Sequence, residues 1–89
     1  MMAPSTVDLL QARLAALEPL ALAIADESHH HVGHAGARDG GHYRVDIVAE
    51  VFSGKGTLAR HRLVYDAAGD LMRGKIHALS IHARAPDEV

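Results

Sequence analysis

The chain has 89 residues, of which 48% are hydrophobic and 22% charged, and its formal net charge is -2 with neutral histidines. This balance predicts a single soluble globular domain over 1–89 and argues against non-specific adhesion to nucleic acid, which needs a basic excess. Cysteine is absent, which excludes a disulfide or a thiolate metal site within the chain, and the lack of a signal-peptide pattern or a long apolar run predicts a cytoplasmic protein without membrane contact.

The first half of the chain predicts a helix and two strands. Ser5 can cap a helix over about 6–17 whose apolar residues recur at helical spacing, and Pro19 stops it. Larger side chains alternate with alanine in "PLALAIADES", which predicts a strand. After a glycine- and histidine-rich loop over 28–41, "HYRVDIVAEV" is the clearest strand, with Tyr43 and every second residue after it on one face. The two strands form an antiparallel hairpin.

The second half predicts a helix, a short helical turn and a last strand. "FSGKG" is a turn, Thr57 can cap a helix through about Ala68, and Gly69 ends it. "DLMRG" adds at most one helical turn, and "KIHALSIHAR" returns to period two until Pro86, ahead of a frayed tail at 87–89. The crossover makes the last two strands parallel. The chain therefore predicts an α+β fold, αββααβ, with a three-stranded mixed sheet covered by helices on one face.

Histidines concentrate at one predicted edge of this sheet. If the last two strands are parallel, His42 and His77 begin at the same edge, and the loop with its four histidines passes it. His77 shares a predicted face with Leu79 and Ile81, where a polar ring needs a hydrogen-bond partner or a ligand. A satisfied core histidine is the more ordinary explanation of His77.

The loop "SHHHVGHAG" has two explanations. Neutral imidazoles are cheap to expose, so a solvated polar loop explains it as well as metal ligation through one or two rings, such as His31 and His34. Imidazole suits iron, zinc and copper. An iron–sulfur cluster also needs thiolates, so a partner would have to supply the sulfur ligands.

A basic cluster lies in 53–75, where five Lys or Arg against two Asp give a local charge of 5 − 2 = +3. A solvated helix face is the ordinary explanation, and a surface for nucleic acid or for an acidic partner is the functional one. The Gly-X-X-Gly loop of KH-type RNA-binding domains is not found here. No catalytic constellation stands out, so we expect a protein that is not an enzyme. The candidate nucleic-acid residues are Lys55, Arg60, His61, Arg62, Arg73 and Lys75.

Three stretches together resemble the BolA family: "DESHHHVGHAG" with "GGHYRVDIVAEVFSGKG", then "RHRLVYDA", then "IHALSIHARAP". The resemblance covers about residues 6–86, and the order and spacing of the pieces are more specific than any one of them. It implies an αββααβ core akin to class II KH domains, in agreement with the pattern above.

The resemblance implies two functions. The first is partnership with a monothiol glutaredoxin, in which the pair shares a [2Fe–2S] cluster in iron trafficking or iron-dependent regulation. The glutaredoxin cysteine and glutathione then supply sulfur, and the BolA-like protein supplies the histidine of "HAL", His77, and a loop ligand, His31 by preference with His34 as rival. His42 matches a third family histidine near the site. Alone, the chain is expected to be a monomer or a weak homodimer.

The second implied function is transcriptional regulation by DNA binding. The surface carried over for it is the helix that bears Arg60, His61 and Arg62.

Overall fold

The structure is a computed structural model that describes residues 3–28 and 41–89. Its helices and strands are α1 (Thr6–Leu14), β1 (Ala21–Asp26), β2 (Gly41–Val48), α2 (Thr57–Ala68) and β3 (Ile76–Arg84). Short 3₁₀ helices within the described segments are Ala15–Leu17, Glu50–Phe52, Gly69–Arg73 and Pro86–Glu88.

The predicted cap of helix α1 at Ser5 is confirmed, and it forms part of a capping box. The Ser5 hydroxyl accepts a hydrogen bond from the Asp8 backbone N–H at 3.1 Å, and the Asp8 carboxylate accepts one from the Ser5 N–H at 3.3 Å. These two bonds satisfy donors that a helix start would otherwise leave open. The α-helix itself is shorter than predicted, because a 3₁₀ turn continues it and Glu18 then turns the chain with a φ of 53°.

The sheet confirms the predicted topology. Its order is β1-β2-β3, with β1 antiparallel and β3 parallel to β2. In this register Ile24, Val45 and Ile81 lie side by side across the three strands. The αββααβ order with a three-stranded mixed sheet is therefore confirmed, and the short second helix of the pair is a 3₁₀ helix.

The helices cover one face of the sheet and form the core with it. Tyr43, Val45 and Ile47 of β2 are buried, and Phe52 and Val64 pack into the same core with no exposed surface. The opposite face of β2 is mostly solvated, as predicted. Its exception is Val48, which is buried.

Two local predictions in the second half are wrong. Gly56, not Thr57, is the N-cap of α2, and no side chain caps this helix start; Thr57 is already helical. The tail is not frayed, because Pro86–Glu88 forms a 3₁₀ helix whose last residue bonds to Arg60. The predicted end of α2 at Gly69 is confirmed, and its φ of 58° is one that L side chains rarely adopt.

Candidate functional site

His42 and His77 meet at the edge of the sheet where β2 and β3 begin. Their ring centroids are 5.1 Å apart and the ring planes are tilted by 44°. The proximity predicted from parallel strands is therefore confirmed. His77 is exposed and His42 is half-buried, so the pair lies at the surface.

A bulge in β3 gives His77 its position. Gly41 pairs with Ile76 and His42 pairs with Ala78, so His77 is one extra residue opposite β2. Ile76, before the bulge, is buried in the core. The prediction that His77 shares the apolar face of the later strand residues is wrong, because the extra residue interrupts the period-two alternation there. The bulge turns the His77 ring away from the core and toward solvent.

The two residues that follow β1 hold the backbone of His42. The Ser28 hydroxyl accepts a hydrogen bond from the His42 N–H at 3.0 Å, and the Glu27 N–H donates to the His42 carbonyl at 2.8 Å. A Cβ on Gly41 would lie 2.5 Å from the Tyr43 hydroxyl oxygen and 2.7 Å from the Ser28 hydroxyl oxygen. Glycine before His42 therefore permits this close packing, and a larger residue would force a neighbouring side chain to move.

The separation of the two ring centroids is compatible with two ligands of one metal ion. With metal–nitrogen bonds of about 2 Å, two imidazoles on one tetrahedral ion would have centroids roughly 5 Å apart, close to the spacing of His42 and His77. Among the described residues, no group of three or more His, Cys, Asp or Glu could hold a metal ion. The candidate ligands of the loop, His31 and His34, lie outside the described residues. The described residues thus offer an exposed ring, His77, beside the half-buried His42, and a metal ion here would need further ligands from elsewhere.

Strand β3 carries a second histidine, His82, which has a different partner. The His82 ring nitrogen Nδ1 is 3.2 Å from the Asp46 carboxylate, whose other oxygen accepts a hydrogen bond from Arg44 Nε at 3.1 Å. The Arg44 bond is the main reason that the pKa of Asp46 is lowered, and His82 acts in the same direction. The alternation along β2 places Arg44 and Asp46 on one face, but nothing in the sequence pattern marks His82 as their partner.

Among the predicted nucleic-acid residues, Arg60 is already engaged within the chain. Its guanidinium donates to the Lys55 carbonyl at 2.7 Å and to the Ala83 carbonyl at 3.0 Å. It also donates hydrogen bonds to both carboxylate oxygens of Glu88, at 2.5 and 2.8 Å. Only 12% of the Arg60 side chain is exposed. Glu88 raises the pKa of Arg60, and Arg60 in turn lowers the pKa of Glu88 to about 2. A phosphate contact by Arg60 stays a prediction, and it would have to displace Glu88.

The other predicted nucleic-acid residues differ from Arg60 in exposure. His61 is half-buried. The exposed cations of the cluster are Lys55, Arg62, Arg73 and Lys75.

A family model described as BolA-like protein matches residues 14–88. The chain belongs to the BolA family. Its structure resembles the BolA domain of SufE1 from Arabidopsis thaliana, with a TM-score of 0.85 and 37% identity, over 99% of this chain and 100% of that chain. The family resemblance in the sequence is therefore confirmed.

Two curated relatives show how far the similarity extends. SufE-like protein 1 of Arabidopsis thaliana, which its name describes as chloroplastic/mitochondrial, is 43% identical over 79 residues, covering 82% of this chain and 21% of that protein. The DNA-binding transcriptional regulator BolA of Escherichia coli K12 is 35% identical over 68 residues, covering 76% of this chain and 63% of that protein. This chain thus spans less than two thirds of either relative.

Neither described helix has the length and apolar character to cross a membrane. A cytoplasmic location stays a prediction.

Proposed function

We propose that this protein is a non-catalytic BolA-type adaptor that binds a monothiol glutaredoxin and contributes histidines to a shared [2Fe–2S] cluster. His77 is the principal ligand from this chain, and a loop histidine, His31 by preference over His34, is the second. The cluster serves iron–sulfur trafficking or iron-dependent regulation. The glutaredoxin cysteine and glutathione supply the thiolates that this chain lacks.

The observation that carries the proposal is the exposed His77 ring beside His42 at the start of β2 and β3. The bulge presents the His77 ring to solvent, where a partner can reach it, while Ile76 anchors the adjoining backbone in the core. His42 lies 5.1 Å away between ring centroids. Bonds from Glu27 and Ser28 hold its backbone. A ring whose backbone is held in this way can ligate iron with little rearrangement of the main chain.

Reconstitution tests the proposal directly. The protein is mixed with a monothiol glutaredoxin, glutathione, iron and sulfide, and the visible absorption and circular dichroism of the cluster are recorded for the wild type and for His77→Ala. We expect the substitution to change both spectra, because one iron loses its imidazole ligand. His77→Cys should give a stable cluster with a third, thiolate-type spectrum, which a merely structural role of His77 would not produce.

His82→Ala is the matched control. His82 is also an exposed histidine of β3, with 58% of its side chain accessible, but it is bonded to Asp46 and lies beyond the bulge. Its removal should leave the cluster spectra unchanged. Identical spectra for the wild type and His77→Ala would contradict the proposal.

A second candidate function is DNA binding, which the name of the Escherichia coli relative and the exposed cations favour. Four exposed Lys or Arg side chains remain in the cluster once Arg60 is set aside, so the logarithm of the DNA-binding constant should fall with that of salt concentration with a slope of at most about 4. Arg62→Ala should lower this slope by about 1, whereas Arg60→Ala should leave it unchanged. Absence of binding at low salt would remove this candidate.

A further inference from the structure

An apolar cleft with an acidic rim lies at the end of the sheet remote from His42 and His77. Its volume is about 410 Å³. The Leu20 side chain is 68% exposed there, although leucine is usually buried in folded proteins. The carboxylates of Glu18 and Glu50 are both exposed at the rim. The cleft is lined by Ala16, Leu17, Glu18, Leu20, Glu50 and Val51.

Helix α2 presents the opposite kind of surface. Leu58 is 65% exposed in its first turn, and Tyr65 is 40% exposed two turns later. Arg62 lies between them on the same face, four residues after Leu58, and Lys55 precedes the helix; both cations are exposed. Leu58 thus has a cation on either side, Lys55 before the helix and Arg62 within it. This surface is complementary to the apolar cleft with its two glutamates.

We propose that two copies of this chain associate about a two-fold axis, with Leu58 of each copy in the acidic cleft of the other. Lys55 and Arg62 then face Glu18 and Glu50 across the interface. A two-fold interface makes every contact twice, so the apolar area removed from water and the number of opposite-charge pairs are both doubled. Like charges would oppose the alternative of cleft against cleft or helix against helix.

The chain path supports a shared surface for both halves of the contact. The 3₁₀ helix that contributes Glu50 and Val51 to the cleft leads directly into the turn before α2, where the Lys55 N–H donates to the Phe52 carbonyl at 3.1 Å. Cleft and helix start thus adjoin, as a reciprocal interface requires. Strand β2 separates this surface from His42 by roughly 20 Å at about 3.3 Å per residue, so the dimer leaves the histidine pair accessible.

Complementary charge reversals test the proposal by sedimentation velocity over a concentration series. The acid-reversed variant carries Glu18→Lys and Glu50→Lys, and the base-reversed variant carries Lys55→Glu and Arg62→Glu. We expect the wild type to associate weakly and more weakly at high salt, and each variant alone to have its dissociation constant raised by about tenfold or more. An equimolar mixture of the two variants should associate again, because cleft and helix are complementary at both contacts.

The control reverses two exposed cations elsewhere, Arg73→Glu with Lys75→Glu, which changes the net charge as much as the base reversal does. It should associate like the wild type, and Leu58→Ser should associate less. Circular dichroism confirms that each variant is folded. A wild type that stays monomeric throughout the series overturns the proposal, as does a mixture of the two reversed variants that fails to associate.

Discussion

The close packing at Gly41 predicts that a single methyl group there disturbs the histidine pair. In Gly41→Ala the new Cβ would lie 2.5 Å from the Tyr43 hydroxyl oxygen and 2.7 Å from the Ser28 hydroxyl oxygen, so at least one side chain must move. Overpacking of this kind costs about 1–3 kcal/mol, and losing the Ser28 bond to the His42 N–H adds about 1 kcal/mol. The lower entropy of an unfolded chain with alanine returns about 0.4–1 kcal/mol. We therefore expect a net loss of about 1–3.5 kcal/mol.

Urea denaturation near neutral pH measures this loss, and NMR signals of the His42 and His77 rings report whether the pair has moved. Ser28→Ala is the companion variant: alone it should cost about 0.5–1.5 kcal/mol, and combined with Gly41→Ala it should cost less than the sum, because one obstacle has been removed. If Gly41→Ala is as stable as the wild type and its ring signals are unshifted, the close approach at Gly41 does not position His42.

Three further predictions concern the contacts around this core. Arg60 lowers the pKa of Glu88 from 4.5 to about 2, so the folded state binds fewer protons than the unfolded state between these pH values. The stability advantage of the wild type over Glu88→Gln should therefore be full above pH 4.5 and vanish as the pH falls toward 2. An advantage that does not change over this pH range would contradict the role of the ion pair. Gly69→Ala forces a φ of 58° and a ψ of -129° on a residue with a side chain. It should lower the free energy of unfolding, measured by thermal denaturation, by about 1–3 kcal/mol. Gly74→Ala should lower it less, because a Cβ there meets no atom within 4 Å. Ser5→Ala should cost about 1 kcal/mol and lower the helix signal, because the Asp8 N–H loses its acceptor; unchanged helicity and stability would contradict the role of the cap.

The helices and strands of the fold could be predicted from local patterns in the sequence. Ser5 and Asp8 stand three residues apart, which is the spacing of a capping box, and both of its bonds form. In β2 the alternation that starts at Tyr43 marks the buried face, because period two is a property of the strand itself. The meeting of His42 and His77 could be predicted for the same reason, since parallel strands begin at one edge of a sheet.

The wrong predictions depend on contacts between distant parts of the chain. Nothing in "KIHALSIHAR" marks the bulge, because it depends on how β3 pairs with β2 near Gly41. The period-two pattern therefore predicts the wrong face of the strand for His77. Arg60 has the sequence context of a solvated helix cation, and its burial depends on Glu88, 28 residues later. A pattern read along one element cannot contain a partner of that kind.

The engagement of Arg60 also bears on the choice between the two proposed functions. The local charge of +3 over 53–75 counts Arg60 as available, yet Glu88 lies outside that range and neutralises it, so the effective excess is nearer +2. That is a small electrostatic footprint for a chain whose net charge is -2, because DNA affinity rests on many released counterions. The histidine edge needs no such excess. An exposed imidazole such as His77 can bind iron in a chain of any net charge, provided that a partner brings the thiolates, and this is why the adaptor function is the stronger proposal.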